Sequence, residues 1–203
     1  MNDQVSVFIV DDDQEVRHAL QLLMESVGLQ VECFESAQSY LDQFNPDKPG
    51  CLVLDVRMPG MGGLDLQARL AEERLCPPII IVTGHGDVPM AVRAVQAGAM
   101  NFIEKPFNDQ ALLDSVYRAI EKDAQQRGHV SRLAEIESRF EKLTPRERDV
   151  LEQIVVGKRN KLIAADLGVS QSTVEAHRAK VMEKMEAGSL SELMRMMLSL
   201  ESS

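Results

Sequence analysis

A short apolar run that ends on a single carboxylate constrains the fold of this chain more than any other stretch. The run is Cys51–Leu54, Asp55 follows it at once, and the turn Pro59-Gly60 comes shortly after. A short apolar run bounded by turn residues is typical of a buried strand in a parallel sheet. In open parallel sheets, chemistry takes place just beyond the carboxyl ends of the strands. Asp55 stands at such a place, although a lone Asp there can also simply begin a turn.

Four further apolar segments, separated by helical patterns, extend this strand into a fold. The predicted strands cover 5–10, 30–34, 51–54, 79–82 and 101–104, and the predicted helices cover 16–27, 36–44, 64–73, 88–97 and a stretch from near Asn108. Strands that alternate with helices favour a doubly wound α/β fold. The sequence therefore predicts a flavodoxin-like, five-stranded parallel sheet with a helix after each strand.

Polar side chains stand at four of these strand ends and should meet at one edge of the sheet. They are Asp11, Asp12, Asp55, Thr83 and Lys105. Three carboxylates that lie close together repel one another unless a cation neutralises them, and Mg²⁺ prefers such oxygen ligands. A lysine and a hydroxyl group can bind the oxygens of an incoming phosphoryl group. The set fits in-line phosphoryl transfer with Asp55 as the nucleophile.

Residues 143–203 show only helical patterns. Thr144, Pro145 and Glu147 are typical of a helix start, with Thr as N-cap, Pro at the first helical position and Glu completing a capping box. Gly168 interrupts the pattern between two short helices, which predicts a helix-turn-helix. The fold class is therefore the α/β domain followed by a small all-α domain.

The charge distribution supports a division of the chain into functional segments. Residues 1–122 carry 9 Lys and Arg against 19 Asp and Glu, whereas 123–142 and 143–203 are each balanced. Within 158–180, basic residues outnumber acidic ones. We interpret 1–122 as one domain, 123–142 as a helical linker and 143–203 as a second domain with a local basic face.

Composition gives expectations about compartment and cysteine chemistry. No apolar stretch approaches the length of a membrane-spanning helix and no signal pattern opens the chain, so we expect a soluble, cytoplasmic protein without a membrane partner. Cys33, Cys51 and Cys76 are odd in number and widely spaced. Thiols that fill the core in a reducing compartment are the better expectation than disulfides or a metal site.

The strand-end motifs resemble the receiver domain of two-component response regulators over roughly residues 4–122. The motifs that carry the resemblance are Asp11-Asp12, Asp55 with Met58-Pro59-Gly60, Thr83-Gly84 and Lys105-Pro106-Phe107. The resemblance implies that Asp55 accepts a phosphoryl group from a sensor histidine kinase, with catalytic support from Thr83 and Lys105. It also implies an Mg²⁺ cofactor with the ligands Asp12, Asp55, the backbone carbonyl of Arg57 and, through water, Asp11.

The same resemblance implies a switch and a cis peptide bond. Phe102 matches the aromatic position that turns inward together with Thr83 on activation. The sequence is equally consistent with an ordinary Phe of the hydrophobic core. The Lys105–Pro106 bond is usually cis in this family, as X-Pro bonds permit. Arg57 and His85 lie where side chains gate the attacking water, so one hypothesis gives them control of autodephosphorylation; solvated surface residues are the alternative.

The C-terminal segment resembles the LuxR-type helix-turn-helix output domain over about residues 142–200. The matching residues include Leu143-Thr144-Pro145, Gly157, Asn160-Lys161, Leu167-Gly168-Val169-Ser170 and Thr173-Val174. In such motifs the second helix enters the major groove of DNA. The candidate contacts to bases or phosphates are Lys161, Gln171, Ser172, Thr173, Glu175, His177, Arg178 and Lys180, whereas Val174, Val181 and Met185 should be buried.

Together the halves resemble the FixJ-like branch of response regulators, particularly around 84–90. This implies a DNA-binding transcription regulator, not an enzyme, whose partners are a sensor histidine kinase, promoter DNA, RNA polymerase and, through the face 88–107, a second phosphorylated copy. One alternative is a phosphoaspartate-type phosphatase, but such enzymes carry an Asp where this chain has Arg57. The other is a receiver that works without phosphate, against which the intact acidic pair argues.

Overall fold

The computed structural model describes residues 5–73, 76–84 and 86–201. The chain forms two compact units, of which the first ends at Arg127 and the second begins at Gly128. This division falls inside the segment 123–142. Within the described residues, none of the helices combines the length and the apolar character that a membrane crossing requires.

The N-terminal unit contains a five-stranded parallel sheet, as the sequence predicts. Its strands are β1 (Ser6–Val10), β2 (Gln30–Phe34), β3 (Gly50–Leu54), β4 (Ile79–Thr83) and β5 (Asn101–Glu104), in the order β2-β1-β3-β4-β5. The inner strands β1, β3 and β4 are buried along their whole length. Near-continuous apolar sequence suits strands that helices cover on both faces.

Five helices accompany the sheet: α1 (Gln14–Ser26), α2 (Ala37–Leu41), α3 (Gly63–Leu70), α4 (Val88–Gln96) and α5 (Asp109–Glu141). Asp13 is the N-cap of α1, where its side chain accepts hydrogen bonds from the next turn. The helices α2 and α3 end earlier than the sequence patterns predict. Phe44 lies beyond α2 yet packs against the core, so its apolar spacing extends past the helix itself.

Alternate strand residues face two cores on opposite sides of the sheet. Phe8 and Val10 pack with α2, α3 and α4, whereas Val7 and Ile9 pack with α1 and the first part of α5. Cys51 is buried in the second core, as expected for a core thiol. Cys33 is exposed, so the prediction that all three thiols fill the core is wrong for this residue on the edge strand β2.

An ion pair joins α5 to the edge of the sheet where the strands begin. The buried Asp123 carboxylate accepts hydrogen bonds from the Arg127 Nε, at 2.8 Å, and from the Gly50 backbone N–H, at 2.9 Å. The Arg127 guanidinium also donates to the backbone carbonyls of Pro46 and Lys48. Each charge therefore has fixed partners, which offsets the loss of hydration on burial.

The C-terminal unit is helical and contains the end of α5 with α6 (Pro145–Val155), α7 (Asn160–Leu167), α8 (Gln171–Lys184) and α9 (Leu190–Glu201). Thr144 and Glu147 form the predicted capping box. Gly168 ends α7 in the left-handed conformation, at φ 66°, which a glycine adopts without strain. The turn that follows leads into α8, so α7 and α8 form the predicted helix-turn-helix. Ile136 of α5 and Leu193 of α9 share its core.

Glu147 has a second role in this unit beyond the cap. Its buried carboxylate accepts hydrogen bonds from the Thr144 backbone N–H at 2.8 Å and from the Lys184 ammonium at 2.6 Å. The hydrogen bond from Lys184, followed by that from Thr144, lowers the pKa of Glu147 to about 2. The same ammonium also donates to the Lys142 carbonyl, so α8 is joined to the start of α6.

Replacing Asp123 by Ala should lower the free energy of unfolding of the N-terminal unit by about 3 kcal/mol, because the partly buried Arg127 guanidinium loses its counter-ion. Urea denaturation of the full chain measures the change. Glu32→Ala is the matched control, because it removes a carboxylate from the exposed ion pair with Lys48. That variant should lose less than about 1 kcal/mol. Equal losses of stability in the two variants would contradict a structural role for the Asp123–Arg127 ion pair.

The lowered pKa of Glu147 predicts a pH dependence for the C-terminal unit. A carboxylate whose pKa is depressed in the folded state contributes stability above its unfolded pKa, near 4.3, and loses it as the pH falls toward 2. Urea unfolding followed through amide NMR signals of α8 should therefore show a steeper fall over this range in the wild type than in Glu147→Gln. Glu152→Gln, an exposed position on α6, should keep the wild-type slope.

Candidate functional site

The parallel sheet places four of the predicted site residues at one edge. Asp11 follows β1, Asp55 follows β3, Thr83 ends β4 and Lys105 follows β5. Backbone hydrogen bonds continue the ladder at this edge, from the Asp55 N–H to the Val10 carbonyl at 2.8 Å and from the Lys105 N–H to the Thr83 carbonyl at 2.9 Å. The register therefore fixes the order Asp11, Asp55, Thr83, Lys105 across the sheet.

The Lys105 ammonium lies between two buried carboxylates. Its Nζ is 2.7 Å from Asp11 Oδ2 and 3.3 Å from Asp55 Oδ1. Asp11 is 3% exposed and Asp55 is 7% exposed. A cation in this position offsets the repulsion between two negative groups that water hardly reaches.

Burial and the charges around Asp55 act on its carboxyl group in opposite directions. Burial raises the pKa of Asp55; Lys105 opposes the rise, and the neighbouring Asp11 carboxylate adds to it. The Arg57 backbone N–H donates to Asp55 Oδ2 at 2.6 Å, which favours the ionised form. The Asp55 carboxylate thus accepts hydrogen bonds from the Lys105 ammonium and the Arg57 N–H, and it lines a pocket.

That pocket has a volume of about 230 Å³, and its wall includes the other predicted residues of the site. Asp12, Arg57, Thr83 and Gly84 contribute to it together with the three charged residues described above. The Arg57 side chain is exposed at its rim. The structure therefore gathers around one opening every residue that the sequence singled out for phosphoryl transfer, whereas Phe102 is not among the described lining residues.

The donor set suits a hard cation that keeps part of its water. No three Asp, Glu, His or Cys side chains within 5–73, 76–84 and 86–201 stand close enough to hold a metal ion alone. Mg²⁺ needs no such cage, because it usually keeps several waters and binds one or two carboxylates. Asp11 and Asp55 at the pocket, the exposed Asp12 and the backbone at Arg57 fit this requirement.

A glycine allows the chain after Asp55 to turn back closely on itself. A Cβ on Gly63, the first residue of α3, would lie 2.2 Å from the Asp55 backbone carbonyl oxygen. The Gly63 N–H donates a hydrogen bond to the Val56 carbonyl at 2.9 Å. Only a residue without a side chain fits this approach.

Phe102 is partly buried and packs against the core formed with α2, α3 and α4. A Cβ on Gly86 would lie 2.9 Å from the Phe102 ring and 3.6 Å from Thr83 Cγ2. The ring therefore occupies the space that a side chain at position 86 would need. His85, for which the sequence suggested a gating role, lies outside the described residues.

Arg17 of α1 is a site residue that the sequence reasoning missed. Its guanidinium donates to the Asp11 backbone carbonyl at 2.7 Å and so fixes the chain at the first strand end. The signal available in the sequence was weak, since an Arg one turn into a helix is common on solvated faces.

The predicted DNA contacts lie on the surface of the helix-turn-helix. Lys161, Gln171, Ser172, Glu175 and Lys180 are exposed, and Thr173, His177 and Arg178 are partly buried. Val174, Val181 and Met185 are fully buried, as predicted. The helix α8 thus separates a core stripe from a polar face that can meet DNA.

Local hydrogen bonds order the start of α8. Ser170 is the N-cap, and its hydroxyl accepts from the Thr173 N–H. The same hydroxyl lies 2.8 Å from the Ser172 hydroxyl and 2.7 Å from the Thr173 hydroxyl. The N-terminal end of α8 therefore presents a compact set of hydroxyl groups, which bond readily to phosphate oxygens or base edges.

Comparisons with known proteins agree with both halves of this description. Residues 7–117 match the model of the response regulator receiver domain, and residues 141–197 match that of the bacterial regulatory proteins of the luxR family. The chain belongs to the two-component response regulators. Its output domain is of the LuxR type, so the family predicted from the sequence motifs is confirmed.

Named relatives cover most of this chain. Nodulation protein W of Bradyrhizobium diazoefficiens is 48% identical over 190 residues, which is 94% of this chain and 84% of that protein. The transcriptional regulatory protein FixJ of Azorhizobium caulinodans is 46% identical over 198 residues, covering 98% and 94%. The solved structure of response regulator StyR has a TM-score of 0.87 and 42% identity, and the match covers 96% of this chain and 98% of that one.

Family membership decides between the phosphoacceptor and the phosphatase considered from the sequence. Receiver domains are phosphoacceptors and not enzymes, so the phosphatase alternative is excluded. A receiver implies a partner kinase, and the helix-turn-helix implies binding to DNA. Receivers generally use Mg²⁺, which the oxygen-rich pocket suits.

A side chain at position 86 should displace Phe102. We expect Gly86→Ala to lower the free energy of unfolding by about 1–3 kcal/mol, because the aromatic ring must leave its packed position. Gly84→Ala is the control, since a Cβ there meets no atom within 4 Å. That variant should stay within about 0.5 kcal/mol of the wild type in urea denaturation. Equal stability of the two variants would show that the ring yields without cost.

Proposed function

We propose that Asp55 accepts a phosphoryl group from a sensor histidine kinase and that this modification controls binding to promoter DNA. The observation that carries the proposal is the pocket in which Asp55, Asp11, Lys105 and Thr83 meet. Asp55 is its central carboxylate, with Lys105 on one side and the Arg57 N–H on the other.

The chemistry of the transfer follows from these contacts. An Asp55 oxygen attacks phosphorus in line as the bond between phosphorus and the kinase imidazole breaks, so an acyl phosphate forms and the neutral imidazole leaves. The Lys105 ammonium, already between the carboxylates, offsets the charge that the phosphoryl oxygens bring. Mg²⁺ bound by Asp11, Asp12, Asp55 and the Arg57 carbonyl would supply further positive charge.

We propose that the acyl phosphate draws Thr83 and Phe102 inward and so changes the face formed by 88–107. Thr83 lies at the pocket wall, and the Phe102 ring lies against the glycine three residues after Thr83. The helix α4 begins directly beyond these residues. A movement at Thr83 is therefore communicated to α4 over a short distance.

For Arg57, we propose control of the lifetime of the acyl phosphate, which its place at the pocket rim supports.

An apolar stripe on α4 supports dimerisation through this face. Val88 is 77% exposed, Val92 47% and Val95 56%, and their spacing places them along one side of the helix. Exposed apolar groups in a row are typical of an interaction surface. We propose that two phosphorylated copies pair through α4 and the neighbouring β5.

Dimerisation gives DNA binding the affinity that one module lacks. A pair of α8 helices can contact two half-sites of a symmetric DNA sequence. The polar face of α8 and Lys161 supply the candidate contacts.

RNA polymerase is the further proposed partner, and a cytoplasmic location follows from access to DNA. The family matches end at 117 and resume at 141, which supports the proposed linker over 123–142 between domains at 1–122 and 143–203.

Sedimentation of the full chain with Mg²⁺ and acetyl phosphate tests the proposal. We expect the wild type to change from monomer to dimer, and Asp55→Asn to stay monomeric because it lacks the acceptor oxygen. Val92→Glu should be phosphorylated normally yet need at least tenfold more protein to dimerise, because a charge enters the apolar stripe. Leu22→Glu is the control, as it places the same charge at an exposed apolar position of α1.

Each alternative has its own result. A dimer in every variant, with or without acetyl phosphate, would favour a receiver that works without phosphate. Modification of Asp55 by mass spectrometry without any dimer would reject the α4 surface and leave phosphorylation to act on the output domain by another route. Loss of dimerisation in Leu22→Glu would move the interface to α1.

A further inference from the structure

The turn from β1 into α1 carries the acidic pair, and hydrogen bonds hold it on both sides of Asp12. The Asp11 N–H donates to the Phe34 carbonyl at 3.3 Å, and the Asp13 N–H donates to Asp11 Oδ1 at 3.0 Å. Asp13 is also the N-cap of α1. Asp12 is exposed and lines the pocket that contains Asp55. The backbone of this turn therefore decides where the Asp12 carboxylate can lie.

The Arg17 side chain adds a contact to this turn from within α1. Arg17 is the fourth residue of the helix, and its Nη1 donates to the Asp11 backbone carbonyl at 2.7 Å. Side chains of a helix lean toward its N-terminus, which allows Arg17 to reach back beyond the N-cap. The carbonyl belongs to the peptide unit that joins Asp11 to Asp12. Because a peptide unit is planar, fixing its oxygen also restrains the orientation of Asp12.

The two carboxylates of the acidic pair differ in how far the protein already occupies them. Asp11 Oδ1 accepts from the Asp13 N–H, and Asp11 Oδ2 lies 2.7 Å from Lys105 Nζ. Within the part of the chain that the structure describes, no hydrogen bond or ion pair occupies the Asp12 carboxylate. The position of Asp12 therefore depends on its backbone, to which Arg17 is bonded one residue away.

The charge of Arg17 and its contact should act on a bound cation in opposite directions. The guanidinium has no ion pair with any carboxylate of the described residues, and a positive group beside the acidic pair repels Mg²⁺. Restraint of the turn favours the ion, because a preorganised ligand loses less conformational freedom on binding. Removal of the charge alone would strengthen Mg²⁺ binding, whereas removal of the restraint would weaken it.

We propose that Arg17 is a positioning residue that raises the affinity of the acidic pair for Mg²⁺ by restraining the peptide unit before Asp12. In this role the Arg17 side chain touches neither the metal ion nor the phosphoryl group. The inference rests on the magnesium site of the proposed function and does not require that Asp55 be phosphorylated.

NMR titration of the ¹⁵N-labelled, unphosphorylated full chain with MgCl₂ at constant ionic strength tests the proposal. We expect Arg17→Met to weaken Mg²⁺ binding at least about fivefold, as loss of an outer contact to a metal ligand commonly does. Arg17→Lys should weaken it by a similar factor although it keeps the charge, because an ammonium lacks the planar fork of the guanidinium. Tighter binding by Arg17→Met, or wild-type affinity in Arg17→Lys, would overturn the proposal.

Two control variants separate this role from general effects on the protein. Arg69→Met removes an exposed arginine of α3 and should change the Mg²⁺ affinity by less than about twofold, since water and salt screen distant charges. Asp123→Ala should destabilise the N-terminal unit at the opposite edge of the sheet and keep the wild-type affinity. If Asp123→Ala weakened Mg²⁺ binding as much as Arg17→Met did, general destabilisation would explain both and the positioning role would be rejected.

The rate of phosphorylation by acetyl phosphate provides a second readout. Arg17→Met should react more slowly than the wild type at low Mg²⁺ and reach the wild-type rate at saturating Mg²⁺, because its defect lies in binding the ion. A deficit that persists at saturation would contradict the proposal. Absence of Mg²⁺ binding by the wild type would overturn the magnesium site together with this inference. Binding by the wild type with equal affinity in both Arg17 variants would overturn the inference alone.

Discussion

The contact between one ammonium and two buried carboxylates is the constraint on which the N-terminal unit depends. Lys105 lies within 3.3 Å of both Asp11 and Asp55, so the charges at three strand ends offset one another. Without the lysine, two carboxylates that are nearly inaccessible to water would repel, and burial alone already raises the pKa of Asp55. The geometry that makes the edge reactive also keeps it stable.

Much of the candidate site follows from the sequence because a parallel sheet brings all carboxyl ends of its strands to one edge. Once the apolar runs were located, the neighbourhood of Asp11, Asp55, Thr83 and Lys105 followed from topology alone. Arg17 and Gly63 were not predictable in this way. Their roles depend on how closely α1 and the chain after β3 return to the edge of the sheet. No local sequence pattern encodes the distance from Arg17 to Asp11 or from Gly63 to Asp55.

The limits of the elements were predicted less well than their order. All five strands and the capping residue Thr144 agree with the patterns, since local chemistry decides them. The helix α2 is shorter because Phe44 serves the core without being helical. Asp123 and Arg127 stand four residues apart and so resemble an ordinary surface pair. The segment 46–50 contacts both residues, and it buries the Asp123 carboxylate and partly buries Arg127.

The hydrogen bond from Gln67 restrains the C-terminal end of α4. The Ala94 carbonyl accepts both this bond and that from the Ala99 N–H, so the C-terminal end of α4 is fixed to α3 and to its own exit. A helix that is fixed at one end can rotate about that end. Any displacement of α4 would then be greatest at Val88, nearest the edge that carries Asp55, and smallest near Val95. The apolar stripe should therefore tilt and not slide, and a partner surface would meet it at a changed angle.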